Sequence, residues 1–262
     1  MKVAVGQFAP SGDLADNLAT IERLAAQCAR EGAEVLVLPE ESMATSDCVE
    51  GSLAEFAVQY WPEFVIAVCE CAKRHALTLI TVGYEPGEGL PYNTVIAASP
   101  AGQVVAQYRK THLYDAFAYR ESDYVQRGTG TPVVIDVGEF RVGLINCYDL
   151  RFPEFTRALV DAGANVISVS AAWVSGAMKE EHWEVLLQAR AIESTAWVLA
   201  AGSSASGCIG QSMIFDPMGV KAAGLGAQPE GFLVVPITME RLDEVRAILP
   251  VLANRVLRHA QG

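Results

Sequence analysis

Cys147 stands where an apolar run ends and a helix-start signal begins, in Val142-Gly143-Leu144-Ile145-Asn146-Cys147-Tyr148-Asp149-Leu150-Arg151-Phe152-Pro153-Glu154. Pro153 suits the first turn of a helix, where its missing N–H would have no partner anyway. A side chain held between a strand and a helix sits at an edge with backbone N–H groups close by. A nucleophile with an oxyanion site beside it can be built there. A buried structural cysteine is the competing reading of a lone thiol. Three more residues at strand ends or turns could complete the chemistry. Glu40 follows Leu38-Pro39, Lys110 follows Tyr108-Arg109, and Glu121 lies in Tyr119-Arg120-Glu121-Ser122. Each also reads as ordinary solvated charge, as Glu41 beside Glu40 does. If the four meet, one carboxylate takes the thiol proton, because the thiolate is the competent nucleophile. An ammonium and a backbone N–H then stabilise a tetrahedral oxyanion. The second carboxylate holds the lysine and keeps it charged.

Positioning such a group requires strands that end at one edge, and the hydrophobic pattern supplies them. Val3–Phe8 reads as a strand, and Asp13 can cap a helix carrying Leu14, Leu18, Ile21, Ala25 and Cys28 on one face, with Gly32 at its end. Val35–Leu38 is a buried strand. Ser52 with Glu55 predicts a capping box for a second helix that breaks and restarts at Pro62 and runs to about His75. Strands are expected at Leu79–Tyr84, Thr94–Ala98 and Val104–Tyr108. The second half repeats the logic: strand Arg141–Asn146, helix Pro153–Asp161 ending at Gly163, strand Asn165–Ser170, helix Glu181–Ser194. Strands around Trp197–Ala201, Ser212–Phe215 and Phe232–Pro236 follow, then a helix over Glu240–Leu249 before Pro250. This is a pseudo-symmetric layered α/β arrangement, read as one domain over residues 1–262, since no Pro-, Gly- or Ser-rich linker interrupts it.

The chain has 262 residues, of which 51% are apolar, enough for a sizeable core without disulfides or metal. A net charge of −12 without a basic cluster disfavours nucleic acid and anionic membranes. The N-terminus lacks a signal-peptide pattern and no segment is apolar enough to span a bilayer. Six scattered cysteines without framework spacing fit a reducing cytoplasm. Cys69 and Cys71 read as helix residues, and His75, His112, His182 and His259 lack metal-ligand spacing. Gly128-Thr129-Gly130 and Gly224-Leu225-Gly226 read as turns, and Gly202-Ser203-Ser204-Ala205-Ser206 fails as a serine elbow at its last position.

Leu38-Pro39-Glu40, Tyr108-Arg109-Lys110-Thr111-His112-Leu113 and Cys147-Tyr148-Asp149-Leu150-Arg151-Phe152-Pro153-Glu154 resemble, in order, the three signature blocks of the nitrilase superfamily. The resemblance continues through His182-Trp183-Glu184, Asp216-Pro217-Met218-Gly219 and Asp243-Glu244-Val245-Arg246, and so covers nearly the whole chain. It implies an α/β fold, a four-layer α-β-β-α sandwich that pairs into homodimers or larger assemblies across a helical face. It implies Glu40 as general base, Lys110 as oxyanion lysine, Cys147 as nucleophile, Glu121 beside the lysine, and the Tyr148 backbone N–H in the oxyanion site. The implied reaction is attack on an amide carbonyl, loss of ammonia, and hydrolysis of a thioester, with no metal or organic cofactor. Cys-Tyr-Asp-Leu-Arg with His182-Trp183-Glu184 looks like the Nit-type amidases, so amide hydrolysis is expected before nitrile or carbamoyl hydrolysis, and before a non-catalytic binding role.

For the substrate, Arg151 can clamp a carboxylate, as the resemblance to ω-amidase-like members implies, or pair structurally with Glu154 or Asp149. Val174-Ser175-Gly176-Ala177 and the short loop Tyr114–Tyr119 depart from the Nit pattern near the expected acyl pocket. Those departures put dicarboxylate monoamides in doubt. Trp173, Phe117 and Tyr119 could instead line a small apolar pocket, while Tyr60 reads as core packing. His182 is expected to close a hydrogen bond at its helix start.

Overall fold

A computed structural model describes residues 1–257. The chain opens with β1 (Lys2–Gln7) and α1 (Leu14–Arg30). Asp13 caps α1, its carboxylate accepting from the N–H groups of Ala15 at 2.8 Å and Asp16 at 3.2 Å. Leu14, Ile21, Leu24, Ala25 and Cys28 form the buried face of α1. Gly32 takes φ +82° just past its end, the left-handed turn that glycine adopts without a Cβ penalty. β2 (Val35–Val37) is wholly buried, as a strand covered on both faces must be.

α2 (Leu53–His75), β3 (Thr78–Glu85), β4 (Tyr92–Ala98) and β5 (Val104–Arg109) complete the first half. A small hairpin, β6 (Asp115–Ala116) with β7 (Tyr119–Arg120), follows. The second half holds β8 (Val134–Val137), β9 (Phe140–Asn146), α3 (Pro153–Asp161), β10 (Val166–Ala171) and α4 (Lys179–Ser194). It ends with β11 (Trp197–Gly202), β12 (Met213–Phe215), β13 (Lys221–Gly224), β14 (Gly231–Pro236) and α5 (Met239–Ile248).

The strands form two six-stranded sheets, ordered β14-β1-β2-β3-β4-β5 and β13-β12-β11-β10-β9-β8. Val3, Val5, Val35 and Val37 of the first sheet share one core cluster with Leu144, Val169 and Val198 of the second. α1 and α2 cover the outer face of the first sheet, where Ala4 and Leu36 join Ile21, Phe64 and Val68. α3 and α4 lie against β9 and β11 on the other side. The result is the expected α-β-β-α sandwich. β14 returns antiparallel to β1, with Lys2 opposite Pro236, so the last strand of the second half closes the first sheet.

Three local expectations are corrected, and two elements are added that the pattern does not predict. α2 runs unbroken through Pro62. The lost backbone bond is outweighed by burial of Ala57, Phe64, Val68, Cys71 and Ala72 on one face. Ser52 makes no side-chain cap, and this exposed residue contributes only its carbonyl, to Phe56 N–H at 3.0 Å. α4 begins at Lys179, ahead of the expected Glu181, because Met178 turns through φ +62°. The edge strand β13 and the β6–β7 hairpin carried no readable alternation; β13 is mostly exposed.

Cys71 and His75, one helical turn apart, meet Glu22 of α1 across the helix pair, all three donor atoms within 4.8 Å. Chain spacing did not reveal that grouping. Glu22 is engaged there by Arg74 at 2.7 Å and His75 at 2.8 Å. Among the described residues no helix is long and apolar enough to cross a membrane. His259 lies outside the described residues.

Candidate active site

The parallel strands of the two sheets end at the same edge, and the turns that leave them carry the polar residues. Asn146 ends β9, and Cys147 enters a 3-10 turn, Cys147–Arg151, at φ +46°. Left-handed backbone is costly for a residue with a Cβ, roughly 1–2 kcal/mol, so this conformation is held by its surroundings. Asp149 does much of the holding. Its buried carboxylate accepts from Tyr108 Oη at 2.7 Å, from Asn146 N–H at 3.2 Å and from His112 N–H at 2.9 Å. The His112 ring meets the same carboxylate at 2.7 Å and stacks on Phe152 at 3.7 Å. Asp149 therefore ties the cysteine turn to the end of β5, where Lys110 stands.

Lys110 is fully buried and lies between two carboxylates. Its Nζ donates to Glu40 Oε1 at 2.8 Å and to both oxygens of Glu121, at 3.1 and 2.9 Å. Asn93, inside β4, donates its amide to the same two acids, at 2.8 Å to Glu40 and 3.0 Å to Glu121. Glu40 Oε2 accepts from Ala172 N–H at 2.9 Å, and Glu121 Oε2 from Tyr114 N–H at 2.7 Å. Cys147 lines the same cleft as Glu40, near enough for the Glu40 charge to act on its thiol. The structure thus brings Glu40, Lys110, Glu121 and Cys147 together from four separate turns. Tyr148 follows Cys147 in the first turn of the 3-10 helix, where an N–H has no intrahelical acceptor.

The charges set one another. Burial would push the Glu40 carboxyl up, but the Lys110 ammonium and the hydrogen bonds from Lys110 and Ala172 hold it below the ordinary carboxylate value. Burial would strip the Lys110 proton, yet Glu121 and Glu40 hold its pKa well above that of ordinary lysine. Burial and the Glu40 charge push the Cys147 thiol well up, with Lys110 only partly offsetting them. The resting group is a neutral thiol beside an ionised carboxylate.

These residues line a cleft of about 240 Å³ together with Glu41, Asp47, Tyr84, Tyr119 and Cys208. Glu41 is not the freely solvated acid expected. It is half-buried at φ +64°, accepts from Ser46 N–H at 3.0 Å, Ser46 Oγ at 2.6 Å and Tyr84 Oη at 2.8 Å, and burial raises its pKa. A smaller recess of about 20 Å³ opens from Cys147 toward Arg151, Trp173 and Lys179.

Arg151 pairs with neither Glu154 nor Asp149, because Asp149 is already committed to Tyr108 and His112. Its guanidinium instead lies 4.7 Å over the Trp173 ring and 3.5 Å from His182 Nδ1. His182 accordingly faces Arg151 rather than closing the helix start. Phe117 sits at the hairpin tip, 70% exposed and outside the cleft lining, with Lys179 Nζ 3.9 Å from its ring. Tyr60 packs against Phe56, away from the site.

Three contributors were missed in the sequence. Asn93 carried a readable signal, a polar amide in an apolar strand where such residues are disfavoured. Asp149 reads in the sequence only as an ion-pair candidate for Arg151. Lys179 gave no local cue at all.

The model of the carbon-nitrogen hydrolase family matches residues 2–247. A deaminated glutathione amidase of Escherichia coli O157:H7 is 40% identical over 256 residues, 97% of each chain. A mutant of the Nesterenkonia AN1 amidase from the nitrilase superfamily superposes with a TM-score of 0.81 at 26% identity, covering 95% of each chain. A glutamine mutant of the Nesterenkonia sp. AN1 amidase, with the acetamide moiety of fluoroacetamide added covalently at its active-site cysteine, matches with the same score, identity and coverage.

Proposed function

The chain belongs to the carbon–nitrogen hydrolase family and is a hydrolase of amidase type, and from that premise we propose that it hydrolyses a small carboxamide through a Cys147 thioester. The reading is carried by one observation: the buried Lys110 ammonium is shared by Glu40 and Glu121 in the cleft that Cys147 also lines. As Sγ bonds to the substrate carbonyl carbon, Glu40 accepts the thiol proton. The low carboxyl pKa and high thiol pKa make a free thiolate costly, so proton transfer accompanies attack. The carbonyl oxygen becomes an oxyanion, met by Lys110 Nζ and the Tyr148 N–H. Collapse expels the nitrogen, which takes the proton back from Glu40. Water, deprotonated by Glu40, then attacks the thioester and releases the acid and the thiol. Glu121 keeps Lys110 charged and aimed throughout, and the step sequence calls on no metal or organic cofactor.

Deaminated glutathione enters as a candidate substrate through the name of the 40% identical relative. Its amide bonds are peptide-type, so an amine rather than ammonia would leave. A nitrile or carbamoyl substrate would use the same residues; carbon dioxide among the products marks the carbamoyl case. A homodimer fits the apolar Val185 and Ile192 exposed on α4 and Ile248 on α5, and six free cysteines fit a reducing cytoplasm.

The test is an amide panel containing primary and peptide-type amides, read by intact mass and by acid product. The expected result is an acyl adduct on Cys147 that disappears, with turnover reduced on the order of 10⁴-fold or more, in Cys147→Ala. A folded wild-type protein that yields neither adduct nor acid across the panel would favour a binding role.

A further inference from the structure

α1 and α2 pack against each other over the first sheet, and their contact gathers three side chains that can ligate a metal. Cys71 and His75 stand four residues apart near the end of α2, so one face of the helix presents both. Glu22 of α1 meets them from across the helix pair, and the three donor atoms all lie within 4.8 Å of one another. The carboxylate is aimed. Its Oε1 faces His75 Nε2 at 2.8 Å, while Arg74 Nη1 holds Oε2 at 2.7 Å. Arg74 thus fixes which oxygen points at the imidazole, as an outer-shell partner of a metal ligand does.

Tetrahedral zinc, with bonds of about 2.0–2.3 Å, sets its ligand atoms roughly 3.3–3.7 Å apart. Glu22 and His75 are closer than that because they share a proton, and an ion in its place would part them by less than about 1 Å. Cys71, Glu22, Glu70 and Arg74 line a groove of about 260 Å³, which leaves space for a water in a fourth position. The end of a helix carries the negative pole of its dipole, which favours a cation. The thiol, pushed up to about 12 by burial and the Glu22 charge, keeps its proton until a metal displaces it. Sulfur and imidazole donors select zinc over magnesium or calcium, which take oxygen. A plain ion-pair cluster would explain Glu22, Arg74 and His75, but it gives the buried thiol no part.

We propose that Glu22, Cys71 and His75 form a zinc site that ties α1 to α2 on the outer layer of the sandwich. Zinc bonds to Cys71 Sγ, His75 Nε2, one Glu22 oxygen and a water. Sγ loses its proton to solvent, and any proton on Nε2 passes to Nδ1 or to solvent. None of the three residues lines the Cys147 cleft. The site makes the stability of the helical layer depend on metal, and it stands or falls apart from the reading of Cys147 as nucleophile.

The probes are cobalt(II) alone and zinc(II) alone, added to metal-free protein kept reduced by a phosphine. Cobalt should give a thiolate-to-metal charge-transfer band and the visible bands of a tetrahedral centre, saturating at one equivalent, in wild type and in Cys147→Ala alike. Cys71→Ser should lose the charge-transfer band. Glu22→Gln and His75→Gln each remove a direct ligand, so each should weaken zinc binding by at least the roughly 10–100-fold that an outer-shell loss costs. Zinc at about a hundredfold excess over Kd should raise the wild-type Tm by about 5–10 °C and leave that of C71S in place. No band in wild type, or a band that survives C71S, overturns the proposal. So does a band lost in C147A, which would put the metal on the catalytic thiol. If C71S fails to fold, E22Q decides, because Glu22 is partly exposed and its loss leaves the core intact. Zinc bound as tightly by E22Q as by wild type overturns the site.

Discussion

On the floor of the cleft every buried charge meets its opposite, whereas on the wall beside it the charges meet aromatic rings. Glu40, Lys110 and Glu121 satisfy one another with Asn93 and two backbone N–H groups, at 2.7–3.1 Å throughout. Among the described residues Lys179 and Arg151 have no carboxylate partner and lean on Phe117 and Trp173 instead. A closed network resists change and holds geometry, whereas on the wall Arg151 keeps a buried Nε without a partner. The floor is therefore where loss of one group should cost rate, and the wall is where it should cost discrimination between substrates.

The largest effect after loss of the nucleophile itself is expected from Glu40→Gln. Removing a general base typically costs 10²–10⁴-fold, so turnover at neutral pH should fall by about 10³-fold. The pH dependence separates a base from a brace. Glu40 has its pKa held below the ordinary 4.5, chiefly because Lys110 overcomes the effect of burial. Its ionised form, and the stability that form contributes, are present above the unfolded carboxylate value and lost as pH falls through the folded one. The acid limb of the wild-type kcat/KM profile should thus lie below pH 4.5. In E40Q one of the charges that raises the Cys147 thiol is gone, so the thiol ionises more easily and activity should climb with alkali, narrowing the gap to wild type. A gap that stays constant across the pH range would reduce Glu40 to a positioning role.

Lys110→Met strikes the same floor from its centre. Loss of an oxyanion donor costs on the order of 100-fold or more in kcat. It also leaves two carboxylates facing each other out of water, and breaking a buried pair costs about 3–5 kcal/mol. One of the two acids should then titrate above its unfolded value. Stability from such a raised acid is present below that value and lost as pH rises, so K110M should melt higher at pH 5 than at pH 7. Wild type, with Glu40 depressed, should show no such gain on acidification in that window. Parallel Tm profiles for the two proteins would mean the floor is not the closed electrostatic unit described.

The sequence showed the floor more readily than the wall, and the reason is physical. Glu40, Lys110 and Cys147 each leave the end of a strand, and strand ends are marked by where apolar periodicity stops. Helix and strand order was legible for the same reason, down to Pro153–Asp161. The wall is assembled from a hairpin tip, a loop tryptophan and a helix start that approach only in space. Lys179 sits in Met178-Lys179-Glu180-Glu181, a run that reads as solvated charge until Met178 turns through φ +62° and buries it. Pro62 misled for the converse reason: local chemistry argued for a break, and burial of one face of α2 outweighed it.

The smallest effect should come from the hairpin that covers the wall. Asp115 pairs with Arg120 and Ala116 with Tyr119, so Phe117 and Ala118 form a two-residue turn, at φ +54° and +64°. Such turns want Asn-Gly, and residues with a Cβ held there carry strain of roughly 1–2 kcal/mol each. Phe117→Asn with Ala118→Gly should relieve part of that strain and raise Tm by about 2–4 °C. The same change removes the ring beside Lys179, a contact worth about twofold to fivefold, so kcat/KM for the amide turned over fastest should shift by no more than that. A lower Tm would mean that the packing of Phe117 on Tyr114 and Lys179 outweighs the turn strain. The ring would then be a brace that holds the hairpin over the wall and over the Lys179 cation beneath it.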